Sequence, residues 1–167
     1  MGYIDHKEAS PTSVSFGIVT VSDSRTEDTD ESGRYLTDVL LEHGHSVNGY
    51  QLIKNNGEAI HRVIEKFIGH PEIQIIIFTG GTGISHRDLT VETITPLFKK
   101  QIPGFGELFR YLTWQEIGTA SIMSRAIAGV IDNKVFLCLP GSLNAVKLAL
   151  ESIILPEAGH LIREARR

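Results

Sequence analysis

Ile73-Gln74-Ile75-Ile76-Ile77-Phe78, followed at once by Thr79-Gly80-Gly81-Thr82-Gly83, is the stretch on which the reading of this chain turns. The first half is nearly all apolar and rich in β-branched residues, over the length of a strand. Such a run suits a central strand covered on both faces by helices, because a half-exposed strand would alternate with polar residues. The second half is a glycine-rich turn. Glycine admits positive φ and lets backbone approach a ligand. Successive N–H groups of such a turn can form an anion-binding nest, to which the Thr79 and Thr82 hydroxyls add donors. A tight turn needing glycine only for its shape is the competing reading.

Outward from this strand, apolar runs alternate with helical periodicity. Ser15–Ser22 reads as a strand. Ser32 is placed to cap a helix over Gly33–His43, ended by Gly44. Val47–Ile53 is a second strand. Asn56 caps a helix whose Ile60, Val63, Ile64, Phe67 and Ile68 form one buried stripe. After the glycine turn, a helix is expected from Thr90 to Lys100. Pro103–Gly106 is expected to break the chain before a helix over Glu107–Ile117. Ser121–Val130 fits helix or strand equally. Lys134–Leu139 is another buried strand, leading into Pro140-Gly141-Ser142 and a final helical region interrupted by Pro156. The order implies a three-layer αβα domain with a mainly parallel sheet over residues 14–167, and a flexible or loosely docked arm over residues 1–13.

Composition bounds the function. The 167 residues fit one domain, and a net charge of -4 argues against a nucleic-acid binder, which shows a basic face. No stretch approaches the ~20 apolar residues of a membrane span. The polar start MGYIDHKEASPTSV does not resemble a signal peptide, and His6 stands where a myristoylation signal wants Ser or Thr. A single cysteine, Cys138, allows no internal disulfide, so a cytoplasmic setting is expected.

In a parallel sheet the strands' C-terminal ends share one edge, where ligands bind. Here those ends are Ser22-Asp23-Ser24, Thr79–Gly83 and Pro140-Gly141-Ser142, all small, polar or glycine-rich. The central turn is not a P-loop, which needs Gly-Lys-Ser/Thr, nor a dinucleotide fingerprint, because His86 stands where a third glycine or alanine belongs. Asp88 and Glu107 each read as a helix-start residue or as a functional carboxylate, Asp88 as a candidate Mg²⁺ ligand. Asp28-x-Asp30-x-Ser32-Gly33 starts like a calcium loop but has Val39 at position twelve. The acidic run Asp23–Glu31, apart from Asp23, reads as a solvated loop. The seven histidines show no metal spacing. Cys138 reads as core, and Arg125 as a phosphate partner or a surface arginine.

Taken together, Val21-Ser22-Asp23, the TGGTG turn with Arg87-Asp88, Pro103–Glu107 (PGFGE), Ser124-Arg125 and Leu139–Ser142 (LPGS) resemble the MoaB/Mog family of molybdenum cofactor biosynthesis. The match runs from about Val14 to about His160. The Val21–Arg25 (VSDSR), Phe105–Arg110 (FGELFR) and Glu116–Thr119 (EIGT) segments resemble its MoaB branch. The resemblance implies a trimer or dimer of trimers that transfers AMP from MgATP to the terminal phosphate of molybdopterin, releasing pyrophosphate to solution and adenylated molybdopterin to a MoeA-type molybdate insertase. It implies phosphate or pterin contacts for Gly80–Gly83 and for Pro140, Gly141 and Ser142, with Thr79 and Ser22 beside them. It implies Mg²⁺ or substrate positioning for Asp88, a pterin side shaped by Asp23 and Glu107, and phosphate contact for Arg125. Active relatives often carry aspartate in the turn after the second strand, where this chain has Asn55. An amide is a poorer Mg²⁺ ligand than a carboxylate, so a non-catalytic molybdopterin carrier is the alternative.

Overall fold

The structure, a computed structural model, describes residues 10–167. Most of the expected N-terminal arm lies outside the described residues. Of the remainder, the Ser13 hydroxyl donates to Gly44 O at 2.8 Å.

Six strands form one sheet in the order β2-β1-β3-β6-β5-β4. They are β1 (Ser15–Val21), β2 (Ser46–Ile53), β3 (Ile75–Thr79), β4 (Lys100–Gln101), β5 (Ile127–Ile131) and β6 (Lys134–Leu139). β2, β1, β3 and β6 run parallel, while β5 and β4 continue the sheet antiparallel. The helices are α1 (Glu31–Glu42), α2 (Gly57–Ile68), α3 (Thr90–Ile94), α4 (Pro103–Ile117), α5 (Leu143–Ala149) and α6 (Leu155–Ala165).

Alternation along the strands builds two cores. Phe16, Ile18, Ile75, Ile77, Val135 and Leu137 face Leu36 and Leu40 of α1, Phe109 of α4, and Val146 of α5. Val19, Ile76, Phe78, Phe136 and Cys138 face Ile60, Ile64 and Phe67 of α2 and Ile94 of α3. These are the three layers expected from the all-apolar β3. Cys138 lies in the core, and burial pushes its thiol pKa up.

Four local expectations change. Asp30, not Ser32, caps α1, accepting from Gly33 N at 3.1 Å, and the helix starts two residues earlier in consequence. The helix after the glycine turn is short: α3 passes into a 3-10 turn at Thr95–Leu97, and Lys100 belongs to β4. Pro103–Gly106 does not break the chain but forms the first turn of α4. Proline at the first position needs no N–H partner, and burial of Phe105 and Phe109 on one face outweighs a cost of about 1 kcal/mol for each glycine. Ser121–Val130 divides into the end of a 3-10 turn (Gly118–Met123) and most of β5. Pro156 does interrupt the last helix: a π turn, Leu150–Ile154, precedes it.

The register sets the site. Thr20 of β1 pairs with Thr79 of β3, Thr79 with Leu139 of β6, and Val21 with Ile53 of β2. Four strand ends are therefore level on one edge. β1 connects outward to β2 and the chain then returns past β1 to β3, so the crevice between the β1 and β3 ends is a topological switch point.

Candidate functional site at the strand ends

The turn after β3 leaves the sheet through two residues of positive φ, Gly80 (96°) and Gly81 (66°). A side chain on Gly80 would overlap Val21 O, and one on Gly81 would overlap the Thr90 hydroxyl and stand 3.0 Å from Asn55 Oδ1. Only glycine meets both the dihedral and the space requirement here. Thr90 ties the turn down: its hydroxyl donates to Gly80 O at 2.8 Å and its N–H to Gly81 O at 2.9 Å.

Asn55, half-buried after β2, accepts from Leu89 N through Oδ1 at 3.1 Å. Asp23 Oδ1 accepts from Asn55 N at 3.0 Å, joining the β1 end to the same turn. Ser22 Oγ accepts from Arg25 N at 3.1 Å. Asp88 is half-buried, with Oδ2 accepting from Ser85 N at 3.0 Å and lying 2.6 Å from where a Gly83 side chain would begin. Gly81, Gly83, Asn55, Asp88 and Asp23 are thus brought together. His86 is exposed.

The turn after β6 lies against the turn after β3. Gly80 N donates to Leu139 O at 3.0 Å and the Thr79 hydroxyl to Pro140 O at 3.1 Å. A side chain on Gly141 would start 3.2 Å from Gly80 Cα. Ser142 Oγ accepts from Ala145 N at 3.3 Å as the cap of α5. Beside Pro140 and Ser142 opens a cleft of about 330 Å³, walled by Phe109, Thr113, Ser124 and Leu148. The Ser124 hydroxyl is buried with no hydrogen-bond partner.

Three residues that sequence reasoning passed over reach this edge. Arg25 donates through Nη2 to Gly141 O at 2.9 Å, and the Ser32 hydroxyl donates to the same oxygen at 3.2 Å. Asp30, read as part of a solvated loop, is 1% exposed. Its Oδ2 accepts from the Thr20 hydroxyl at 2.6 Å and the Tyr50 hydroxyl at 2.8 Å, and its Oδ1 faces Arg25 Nη1 at 3.5 Å. Burial, then the bond to Asp30, raises the Tyr50 pKa well above its ordinary value. Arg25 two residues beyond Asp23, and the Asp-x-x-Gly spacing of Asp30 and Gly33, were the available signals.

Arg125 donates through Nη1 to Gly83 O at 2.8 Å and pairs with Glu92. Glu107 lies in the second turn of α4, exposed, on a hollow of about 160 Å³ with Phe98, Gln101 and Arg110 that the start of β5 also lines; none of the strand-end turn residues lines it.

Among the described residues no group of three or more His, Cys, Asp or Glu could by itself hold a metal ion. Asp88 and Asp23 each keep one carboxylate oxygen outside the hydrogen bonds above. That donor set fits Mg²⁺ arriving with a nucleotide, since this ion keeps waters and phosphate oxygens and takes only one or two protein carboxylates. No helix among the described residues is long and apolar enough to cross a membrane.

The family described as probable molybdopterin binding domain matches residues 17–160. Molybdenum cofactor biosynthesis protein B of Bacillus subtilis (strain 168) is 44% identical over 168 residues, covering 100% of this chain and 99% of the relative. The protein of the same name from Halalkalibacterium halodurans is 46% identical over 98% of this chain and 97% of its own length. A crystal structure of molybdenum cofactor biosynthesis protein B superposes with a TM-score of 0.90 at 44% identity, covering 94% of this chain and 98% of that one. The tungsten cofactor synthesizing protein MoaB from Pyrococcus furiosus gives 0.80 at 35% identity over 94% and 99%. With its own fold and strand-end motifs in agreement, the chain belongs to the MoaB/Mog family of molybdenum cofactor biosynthesis proteins.

Proposed function

We propose that this chain acts in molybdenum cofactor biosynthesis by transferring AMP from MgATP to the terminal phosphate of molybdopterin. The observation that carries the reading is the contact of the Gly80–Gly83 turn with Asn55, Asp88, Thr90 and Gly141 at level strand ends. A phosphate oxygen of molybdopterin attacks the α-phosphorus of ATP. The bond from that phosphorus to the bridging oxygen breaks, and pyrophosphate leaves with the electron pair. The nucleophile is already anionic, so the site needs no strong base. Its task is to hold two polyanions together against their repulsion and to align them in line. The glycine turn offers N–H groups to phosphate. Asp88 and Asp23 would hold Mg²⁺, which supplies charge neutralisation between the phosphates when bound. Ser142 and the adjoining cleft are assigned to substrate contact. Purified protein incubated with molybdopterin, ATP and Mg²⁺ should release pyrophosphate and form adenylated molybdopterin.

The second reading, a molybdopterin carrier without turnover, is favoured by Asn55. Its amide oxygen already accepts from Leu89 N, and it brings no negative charge to a metal. Under that reading Asn55→Asp creates activity that the wild type lacks, whereas an active wild type ends it.

The product would pass to a MoeA-type insertase in the cytoplasm. We also propose a homotrimer or dimer of trimers. Leu108, Tyr111, Trp114 and Ile117 stand exposed on α4, with Ile122 78% exposed and Met123 beside them. An apolar face of this kind calls for burial. Sedimentation at micromolar protein tests the assembly, and a monomer there would reject it.

A further inference from the structure

We infer that Arg25 and Arg125 are positioning residues that orient the peptide groups of the two strand-end turns toward an anion, without themselves touching it. The inference rests on the anion-binding reading of those turns.

The two arginines repeat one arrangement. Arg25 donates to Gly141 O at 2.9 Å and is braced by Asp30. Arg125 donates to Gly83 O at 2.8 Å and is braced by Glu92. Each guanidinium therefore bridges a carboxylate and one glycine carbonyl, a two-point hold whose geometry the rigid planar fork fixes and the rotatable donors of an ammonium do not. Their side chains are 31% and 30% exposed, so neither is free to swing as a surface arginine would. The Arg25 brace is itself fixed by the Thr20 and Tyr50 hydroxyls on the buried Asp30.

Peptide planarity turns this hold into a direction. In a trans peptide the C=O and the following N–H point opposite ways. Holding Gly141 O sets the N–H of Ser142, and holding Gly83 O sets the N–H of Ile84. Glycine's wide dihedral freedom makes these peptides dependent on such a hold, which at Gly141 the Ser32 hydroxyl shares with Arg25. Covering the carbonyl oxygens also removes the partial negative charges that would repel an anion at the same edge.

The test measures Mg²⁺-pyrophosphate binding to the full-length chain by calorimetry, beside the AMP-transfer assay and thermal unfolding. Arg25→Gln and Arg125→Gln should each weaken pyrophosphate about tenfold, the scale of a lost hydrogen bond to a charged group. Arg25→Lys and Arg125→Lys should not restore it. Arg34→Gln, which removes an exposed arginine holding Asp28 O, should change nothing. If an arginine variant fails to fold, Glu92→Gln loosens the Arg125 brace from the surface and should cost about threefold. Unchanged affinity in both glutamine variants overturns the inference. So does full rescue by lysine, which would make charge rather than geometry the cause. A wild type that binds no pyrophosphate also overturns it. A wild type that binds pyrophosphate but transfers no AMP leaves the clamps standing and rejects the adenylyltransferase reading.

Discussion

Replacing Asp30 by alanine should destabilise the protein severely, although the residue sits in an acidic stretch that reads as a surface loop. The side chain is 1% exposed and serves two structures at once. It caps α1 through Gly33 N, and loss of such a cap costs about 1 kcal/mol. It also accepts from the Thr20 and Tyr50 hydroxyls at 2.6 and 2.8 Å. Leaving the buried Thr20 hydroxyl and the half-buried Tyr50 hydroxyl unpaired costs up to about 1–3 kcal/mol each, less where water reaches them. Arg25 adds little, because its partly exposed guanidinium can rehydrate. The total is about 3–5 kcal/mol, or about 10–15 °C in melting temperature for a chain of this length. Urea unfolding at fixed protein concentration measures it. Tyr50→Phe should cost clearly less in the Asp30→Ala background than in the wild type, because the partner is already gone. A loss below about 1 kcal/mol, or strict additivity of the two changes, would refute the account of Asp30 as a buried acceptor.

Gly80→Ala should destabilise by about 3 kcal/mol or more, since positive φ and overlap with Val21 O act together; denaturant midpoints check it. Asp88→Ala should lower AMP transfer by about a hundredfold yet cost only about 1 kcal/mol of stability, because it forfeits one partly exposed hydrogen bond to Ser85 N. Stability should also fall in mild acid. Burial, then the charge of His43, holds the His45 imidazole below its ordinary 6.5. Its Nδ1 accepts from Val14 N, so the folded form needs the neutral ring. The unfolded chain binds the proton first, so this contribution is fully present above pH 6.5 and is lost as pH drops through the lower folded value. His45→Asn should flatten the fall in melting temperature between about pH 7 and about pH 5.

The parts legible in the sequence are those whose cause is local. Ile75–Phe78 is apolar throughout and mostly β-branched, Asn56 caps α2 where an Asn precedes a clean helical stripe, and the glycine turn follows its strand directly. The parts that were hidden depend on partners far along the chain. Asp30 is buried because Thr20 and Tyr50 meet it from two neighbouring strands, which an acidic run cannot announce. Arg25 finds Gly141 O 116 residues away. Arg125 is engaged by Glu92 and Gly83 O only because antiparallel β5 begins at the same edge where β3 ends. The helix that carries Glu107 begins at Pro103, a turn earlier than the glycine-rich segment suggests, because proline and glycine are tolerated in a first turn.

The adenylation assay bears most directly on the whole account. With molybdopterin, ATP and Mg²⁺ supplied together, the wild-type chain should form one pyrophosphate for each adenylated molybdopterin, and omission of molybdopterin should stop pyrophosphate release. Tight molybdopterin binding with no pyrophosphate formed would contradict the claim that these strand ends join two polyanions for transfer.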